Sequence, residues 1–243
     1  MTQVDLFIPC YMDQFFPDTA FNTVKLLQKA GCEVIYNPDR TCCGQMAYNA
    51  GHWDVAKGLG RKFLAGQEEE TFIVTPSALC LDMVKRGYDD LFTNSAEHNT
   101  CRMVQSHVIE LTEFLVHVIQ YDFFGAELIG RAVYHDSCTA INYCGIYEEP
   151  RKLLKKVGGL EMVEFPHSKG CCGFGGVFSS KYPDIAMAIA AEKIERVLEV
   201  EADYIISTDM SCLFQLNKYI QKYNIPLKTM HIADVLAHGW ANV

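Results

Sequence analysis

The sequence predicts an α/β fold built twice. It reads as two pseudo-repeated domains, each a mainly parallel sheet flanked by helices, with cysteine loops at the C-terminal ends of the strands. Three observations carry this. Strand-length apolar runs alternate with segments of helical periodicity, which implies parallel sheets covered by helices. Thr41-Cys42-Cys43-Gly44 returns half a chain later as Gly170-Cys171-Cys172-Gly173. A further cysteine flanks each pair at a matching distance: Cys10 precedes the first pair with 31 residues between and Cys80 follows it with 36 between, while Cys138 precedes the second with 32 between and Cys212 follows it with 39 between. The halves align with offsets of 128, 129 and 132 residues at these three positions, so the expected domains are 1–126 and 127–243, joined near Asp122–Gly130.

In the first half, Val4–Pro9 predicts a buried strand with Cys10 at its end. Thr19–Ala30 carries Phe21, Val24 and Leu27 at helical spacing, and Gly31 suits the cap that ends it. Glu33–Tyr36 predicts a second strand that leads to the first cysteine pair, and Trp53–Leu64 a helix. Thr71–Thr75 predicts a third strand, from which Pro76-Ser77-Ala78-Leu79-Cys80 turns into another helix, and His107–Tyr121 predicts a longer amphipathic helix.

The second half repeats the order. Arg131–His135 is an expected strand, Glu149–Val157 a helix stopped by Gly158-Gly159, and Glu161–Phe165 a strand leading to the second pair. Pro183 suits the first turn of a helix running to about Val200, capped by Ser179 or Ser180 and burying Ile185, Ile189, Ile194 and Val197. Ala202–Ser207 is the last expected strand, leading to Cys212. All the patterned cysteines thus follow strands, where α/β folds place their ligands.

Hydrophobic residues make up 49% of the chain, enough for a sizeable core. A net charge of −9 argues against non-specific nucleic-acid binding, which needs clustered Lys and Arg. It fits a small-molecule site or a partner with a basic docking face. The N-terminal residues have no basic lead or long apolar run, and Val108–Phe124 is interrupted by Glu110, Glu113, His117 and Asp122. A cytoplasmic protein is expected, with peripheral membrane attachment through partners left open. In a reducing compartment a patterned cysteine set means metal binding or redox chemistry rather than disulfides.

Four cysteines from three loops match the ligand number of a [4Fe–4S] cluster or of a structural zinc. The expected ligands are Cys10, Cys42, Cys43 and Cys80 in one set and Cys138, Cys171, Cys172 and Cys212 in the other. Neighbouring side chains on an extended strand point to opposite faces, so both sulfurs of a tandem pair reach one group only if the backbone turns sharply. Gly44 and Gly173 permit that turn. Adjacent sulfurs suit neighbouring irons better than one zinc, and zinc in one or both sites stands as the alternative. Cys32, Cys101 and Cys144 fall outside the repeat and read as small apolar side chains. His135, Asp136 and His167 lie near the cysteines in sequence and are the candidates for proton transfer or for hydrogen bonding to a sulfur. Ser77 and Asp209 precede Cys80 and Cys212 by three residues and read as helix caps.

The doubled Cys-x31–32-Cys-Cys-Gly…Cys pattern resembles the cysteine-rich, or CCG, domain proteins. These include the cysteine-rich subunit of heterodisulfide reductase, the iron–sulfur subunit of glycolate oxidase and the lactate utilisation protein A family. The last is the most similar in length and layout. Thr41-Cys-Cys-Gly-Gln45 with Ala47-Tyr48-Asn49, Pro76-Ser77-x-x-Cys80, Tyr134-His135-Asp136-Ser137-Cys138, Cys171-Cys-Gly-Phe-Gly-Gly176 and Thr208-Asp-Met-Ser-Cys212 carry the resemblance. It implies an iron–sulfur electron-transfer subunit that oxidises L-lactate, or a related 2-hydroxy acid, to pyruvate together with a ferredoxin-type iron–sulfur subunit and a third small subunit. The fuller family motif ends Cys-x-x-Cys, and its first cysteine is replaced here by Ser77 and Asp209. One ordinary [4Fe–4S] cluster per half is therefore expected. A thiol, heterodisulfide or quinone reductase subunit and a zinc-stabilised interaction module are the alternatives.

Overall fold

The computed structural model describes residues 2–66, 70–165 and 168–240. The chain divides into two compact units, Met1–Ile119 and Gln120–Val243. Each unit is a four-stranded, wholly parallel sheet flanked by helices, so the predicted doubled α/β plan holds, with one more strand per unit than the sequence predicts.

In the first unit, β1 (Thr2–Leu6), β2 (Cys32–Ile35), β3 (Phe72–Thr75) and β4 (Val108–Glu110) lie in the order β2-β1-β3-β4. In the second, β5 (Glu127–Tyr134), β6 (Gly158–Met162), β7 (Tyr204–Ser207) and β8 (Lys228–His231) lie in the equivalent order β6-β5-β7-β8. The chain leaves β1 toward β2 on one side and later adds β3 on the other. The order therefore reverses between β1 and β3, and likewise between β5 and β7. Such a reversal opens a crevice beyond the strand C-termini, the usual ligand position in doubly wound folds.

The two edge strands β4 and β8 depart from the sequence reading. The helix expected over 107–121 is instead a helix over His98–His107, the strand β4, and a short helical segment of which Phe114–Val118 is a π turn. Val108 and Ile109 extend the sheet because they pair with Ile73 and Val74 of β3. A strand this short leaves no periodic signal, and only the neighbouring strand's open edge selects it. β6 begins at Gly158, earlier than expected, since Gly158 pairs with Glu127 through a register shift between Glu127 and Gly130. The helix before it is Glu148–Leu154.

The helix Pro183–Leu198 starts on Pro183 as predicted, but Tyr182 occupies the cap position, and Ser179 and Ser180 belong to the preceding turn Phe178–Lys181. Its buried face is Ala186, Ala190, Lys193, Ile194 and Val197. Ile185 is exposed, and Lys193 is buried, the reverse of what their chemistry suggests. Phe21 on the helix Pro17–Lys29 is likewise exposed, while Thr23, Leu26 and Leu27 are buried. Among the described residues no helix is long and apolar enough to cross a membrane.

Candidate metal centres

Each unit gathers its four patterned thiols at the reversal point of its sheet. Cys10 opens the helix Cys10–Phe15 just beyond β1, and Cys80 lies in the first turn of the helix Ala78–Asp82 just beyond β3. Cys42 and Cys43 arrive on the loop after β2. Cys10 Sγ donates to Cys42 Sγ at 3.4 Å, and Cys43 Sγ donates to Cys80 Sγ at 3.3 Å. In the second unit Cys138 follows β5, Cys171 and Cys172 follow β6, and Cys212 lies in the first turn of the helix Met210–Lys222 beyond β7.

The glycine after each pair makes the turn that brings adjacent sulfurs to one side. Gly44 has φ +87° and Gly173 φ +89°, in the left-handed region. A Cβ at Gly44 would meet the Ala56 carbonyl oxygen at 3.1 Å, and one at Gly173 the Ala186 carbonyl oxygen at 2.5 Å. Each glycine therefore needs both its dihedral and its missing side chain. Its N–H points back at the preceding sulfur, Gly44 N to Cys42 Sγ at 3.4 Å and Gly173 N to Cys171 Sγ at 3.3 Å.

These contacts single out one thiolate in each set. Hydrogen bonds from Cys10 and Cys43 pull the Cys42 thiol down to about 3. Those from Cys138 and Cys172 pull Cys171 down to about 2. The donors move the other way: Cys10 is raised by its bond to Cys42 and by burial, Cys138 by its bond to Cys171 and by burial. Cys43 and Cys172 are raised well above the ordinary thiol range by hydrogen bonding to their neighbours and by burial. Four thiols linked by pairwise contacts, one of them drawn toward the thiolate, form a donor set for a soft metal or an iron–sulfur group.

The helix-start residues differ between units. Ser77 is a true cap: its Oγ accepts from Cys80 N at 3.3 Å. Asp209 sits at the cap position of its helix but accepts instead from Ser137 Oγ, which ties the loops carrying Cys138 and Cys212 together. Neither supplies sulfur to the set.

Of the candidate proton carriers, Asp136 is buried and committed to structure. Arg151 Nη1 and Nη2 donate to its two oxygens at 2.7 Å each, and Arg151 Nε donates to Glu164 at 3.0 Å. Burial works to lower the Arg151 guanidinium, but the bonds to Asp136 and Glu164 outweigh it and hold it above its usual range. His167 lies outside the described residues. His135 is fully buried, and among the described residues neither ring nitrogen has a hydrogen-bond partner. One of its nitrogens and the Sγ atoms of Cys172 and Cys212 lie within 4.8 Å of one another. Cys32 is buried in β2 and Cys101 in the helix His98–His107, while Cys144 ends the π turn Ala140–Cys144.

Sequence reasoning missed Lys193. Its Nζ donates to the Ser168 carbonyl at 2.9 Å, and its charge acts on His135. The signal was present, since Lys193 shares the helical phase of Ala186, Ala190 and Val197 and therefore had to face inward.

A family model of the cysteine-rich (CCG) domain matches residues 4–85 and 132–217, once in each unit. Lactate utilization protein A of Geobacillus sp. (strain WCH70) is 40% identical over 235 residues, spanning 96% of this chain and 98% of its own. Lactate utilization protein A 2 of Bacillus cereus (strain Q1) is 37% identical over 238 residues, spanning 98% of each chain. The chain belongs to the lactate utilization protein A family. The resemblance read from the cysteine motifs therefore stands. The fold also matches a crystal structure of a hypothetical protein from Helicobacter pylori, with a TM-score of 0.60 at 13% identity. That match covers 99% of this chain and 50% of the other, and it bears on fold alone.

Proposed function

We propose that this chain is an iron–sulfur electron-transfer subunit of a complex that oxidises L-lactate, or a related 2-hydroxy acid, to pyruvate. The observation that carries the reading is the pair of four-thiol sets, each drawn from three loops at a sheet reversal and each turned by a left-handed glycine. Cys10, Cys42, Cys43 and Cys80 would hold one [4Fe–4S] cluster, and Cys138, Cys171, Cys172 and Cys212 the other. When bound, such a group supplies one-electron transfer. The chain's own part is to deliver thiolates and to shield most of them: Cys43, Cys80, Cys172 and Cys212 are buried and Cys10, Cys42 and Cys138 half-buried, while Cys171 is exposed. Gly44 and Gly173 add N–H donors toward sulfur, an arrangement that favours the reduced, more negative state.

The relatives' names support lactate as the substrate class. A ferredoxin-type iron–sulfur subunit and a third small subunit would complete the complex. Cytoplasmic placement fits eleven cysteines without a disulfide, and peripheral attachment would come through those partners. Zinc in the second site is a separate reading, favoured by the compact group His135, Cys172 and Cys212.

Metal and sulfide analysis of anaerobically purified chain tests the assignment. About eight irons with matching acid-labile sulfide supports two clusters. The isolated chain should oxidise lactate poorly and regain activity with its partner subunits. Zinc without sulfide would overturn the electron-transfer role. Brisk lactate oxidation by the chain alone would make it the catalytic subunit instead.

A further inference from the structure

The two thiol sets sit on different floors. Phe7 and His135 each lie three residues before the first cysteine of their set and hold the same place in the sheet: Phe7 N donates to Val74 O of β3, and His135 N to Ile206 O of β7. Ala56 and Ala186 are also equivalent, since each carbonyl oxygen faces the glycine after the cysteine pair. Counting seven residues on from each gives Phe63 and Lys193, both buried. In the first unit Phe7 and Phe63 meet edge to face with ring centroids 4.8 Å apart. In the second the same two positions hold an imidazole and an ammonium.

An imidazole buried without a partner on either nitrogen among the described residues loses its hydration for nothing in return. Such a group persists where something else satisfies it. Here it lies against Cys172 and Cys212, and the charge of Cys171 also acts on it. Its imidazole nitrogens are thus placed beside two of the thiols that would hold the second centre.

We infer that His135 is a nitrogen ligand of the metal centre in the second unit, which makes that centre a mixed sulfur–nitrogen site and leaves the first, over Phe7, with sulfur donors alone. This rests on the proposed metal-centre reading of the cysteine sets. It also orders the two centres. An imidazole in place of, or added to, thiolate raises the reduction potential of an iron–sulfur group, so the second centre is the more oxidising of the two.

The test is pulsed electron paramagnetic resonance on the anaerobically purified, chemically reduced full chain, prepared with natural and with ¹⁵N-labelled histidine. A strong nitrogen coupling that changes with the label supports the inference without any substitution. It should survive in Cys10→Ser, where the first set is broken, and vanish in His135→Phe, which installs the first unit's residue. Potentiometry should show two waves, the higher one retained in Cys10→Ser and lowered in His135→Phe. Iron clusters with only a weak or label-independent coupling, or a Cys10→Ser variant retaining the lower wave, would overturn it while leaving the cluster reading intact. Zinc in place of iron would sink the cluster reading alone. The inference would then be decided at the zinc X-ray absorption edge: a nitrogen scatterer lost in His135→Phe supports it, and sulfur-only scattering overturns it.

Discussion

The two units share strand order, thiol positions and glycine turns, and differ in what lies under the thiols. Phe7 and Phe63 give the first unit an apolar floor that gains from burial and costs nothing in desolvation. His135 and Lys193 give the second a polar floor that folding alone does not favour. A duplicated backbone therefore fixes the container, while a few buried substitutions decide how each container is used. The same contrast extends to Ile8 and Asp136, equivalent positions of which only the second is charged, with Arg151 as its partner.

The sharpest way to break the comparison is at that ion pair. Asp136→Ala should destabilise the second unit by about 3–5 kcal/mol, because it strands a buried guanidinium that Glu164 only partly compensates. Chemical denaturation of the metal-free chain would measure it, and an Ile8→Ala control should lose less.

The glycine turns should come next, and unequally. Gly173→Ala forces a Cβ to 2.5 Å from a carbonyl oxygen at φ +89°, and should cost about 3 kcal/mol together with the second centre's metal. Gly44→Ala meets its oxygen at 3.1 Å and should cost about 1–2 kcal/mol. Equal losses, read as denaturation midpoints and metal content, would mean that the two turns are equally tight.

A third prediction reverses sign. His135→Phe should stabilise the metal-free chain by about 1–2 kcal/mol, since it removes two unsatisfied buried nitrogens. Thermal unfolding without metal checks this, and a loss of stability would show that the imidazole serves the apo fold. The smallest effect should come from Ser77→Ala, about 1 kcal/mol for the lost cap over Cys80. Asp209→Ala should instead loosen the second centre through Ser137, read as faster metal release to a chelator at little cost to its helix.

Much of the site was legible in the sequence because covalent spacing carried it. The eight patterned cysteines follow strands that apolar runs reveal, and the adjacent glycines announce a turn that only a residue without Cβ makes easily. The missing parts lacked local signals. Val108–Glu110 and Lys228–His231 become strands through pairing with β3 and β7, a long-range choice to which three or four residues add little. The expectation that Ile185 faces inward failed because a helix has one buried stripe, and its angular position is set by the partner sheet.

By itself, the sequence determined the duplication, the alternation of strand and helix, and which cysteines belong together, since composition and spacing are properties of the chain. Tertiary structure decided the fourth strand of each sheet, the burial of Lys193, the retention of Asp136 by Arg151 and the placing of His135 against Cys172 and Cys212. These depend on contacts between residues far apart in the chain, whose free energies appear only once the sheets and helices have closed around them.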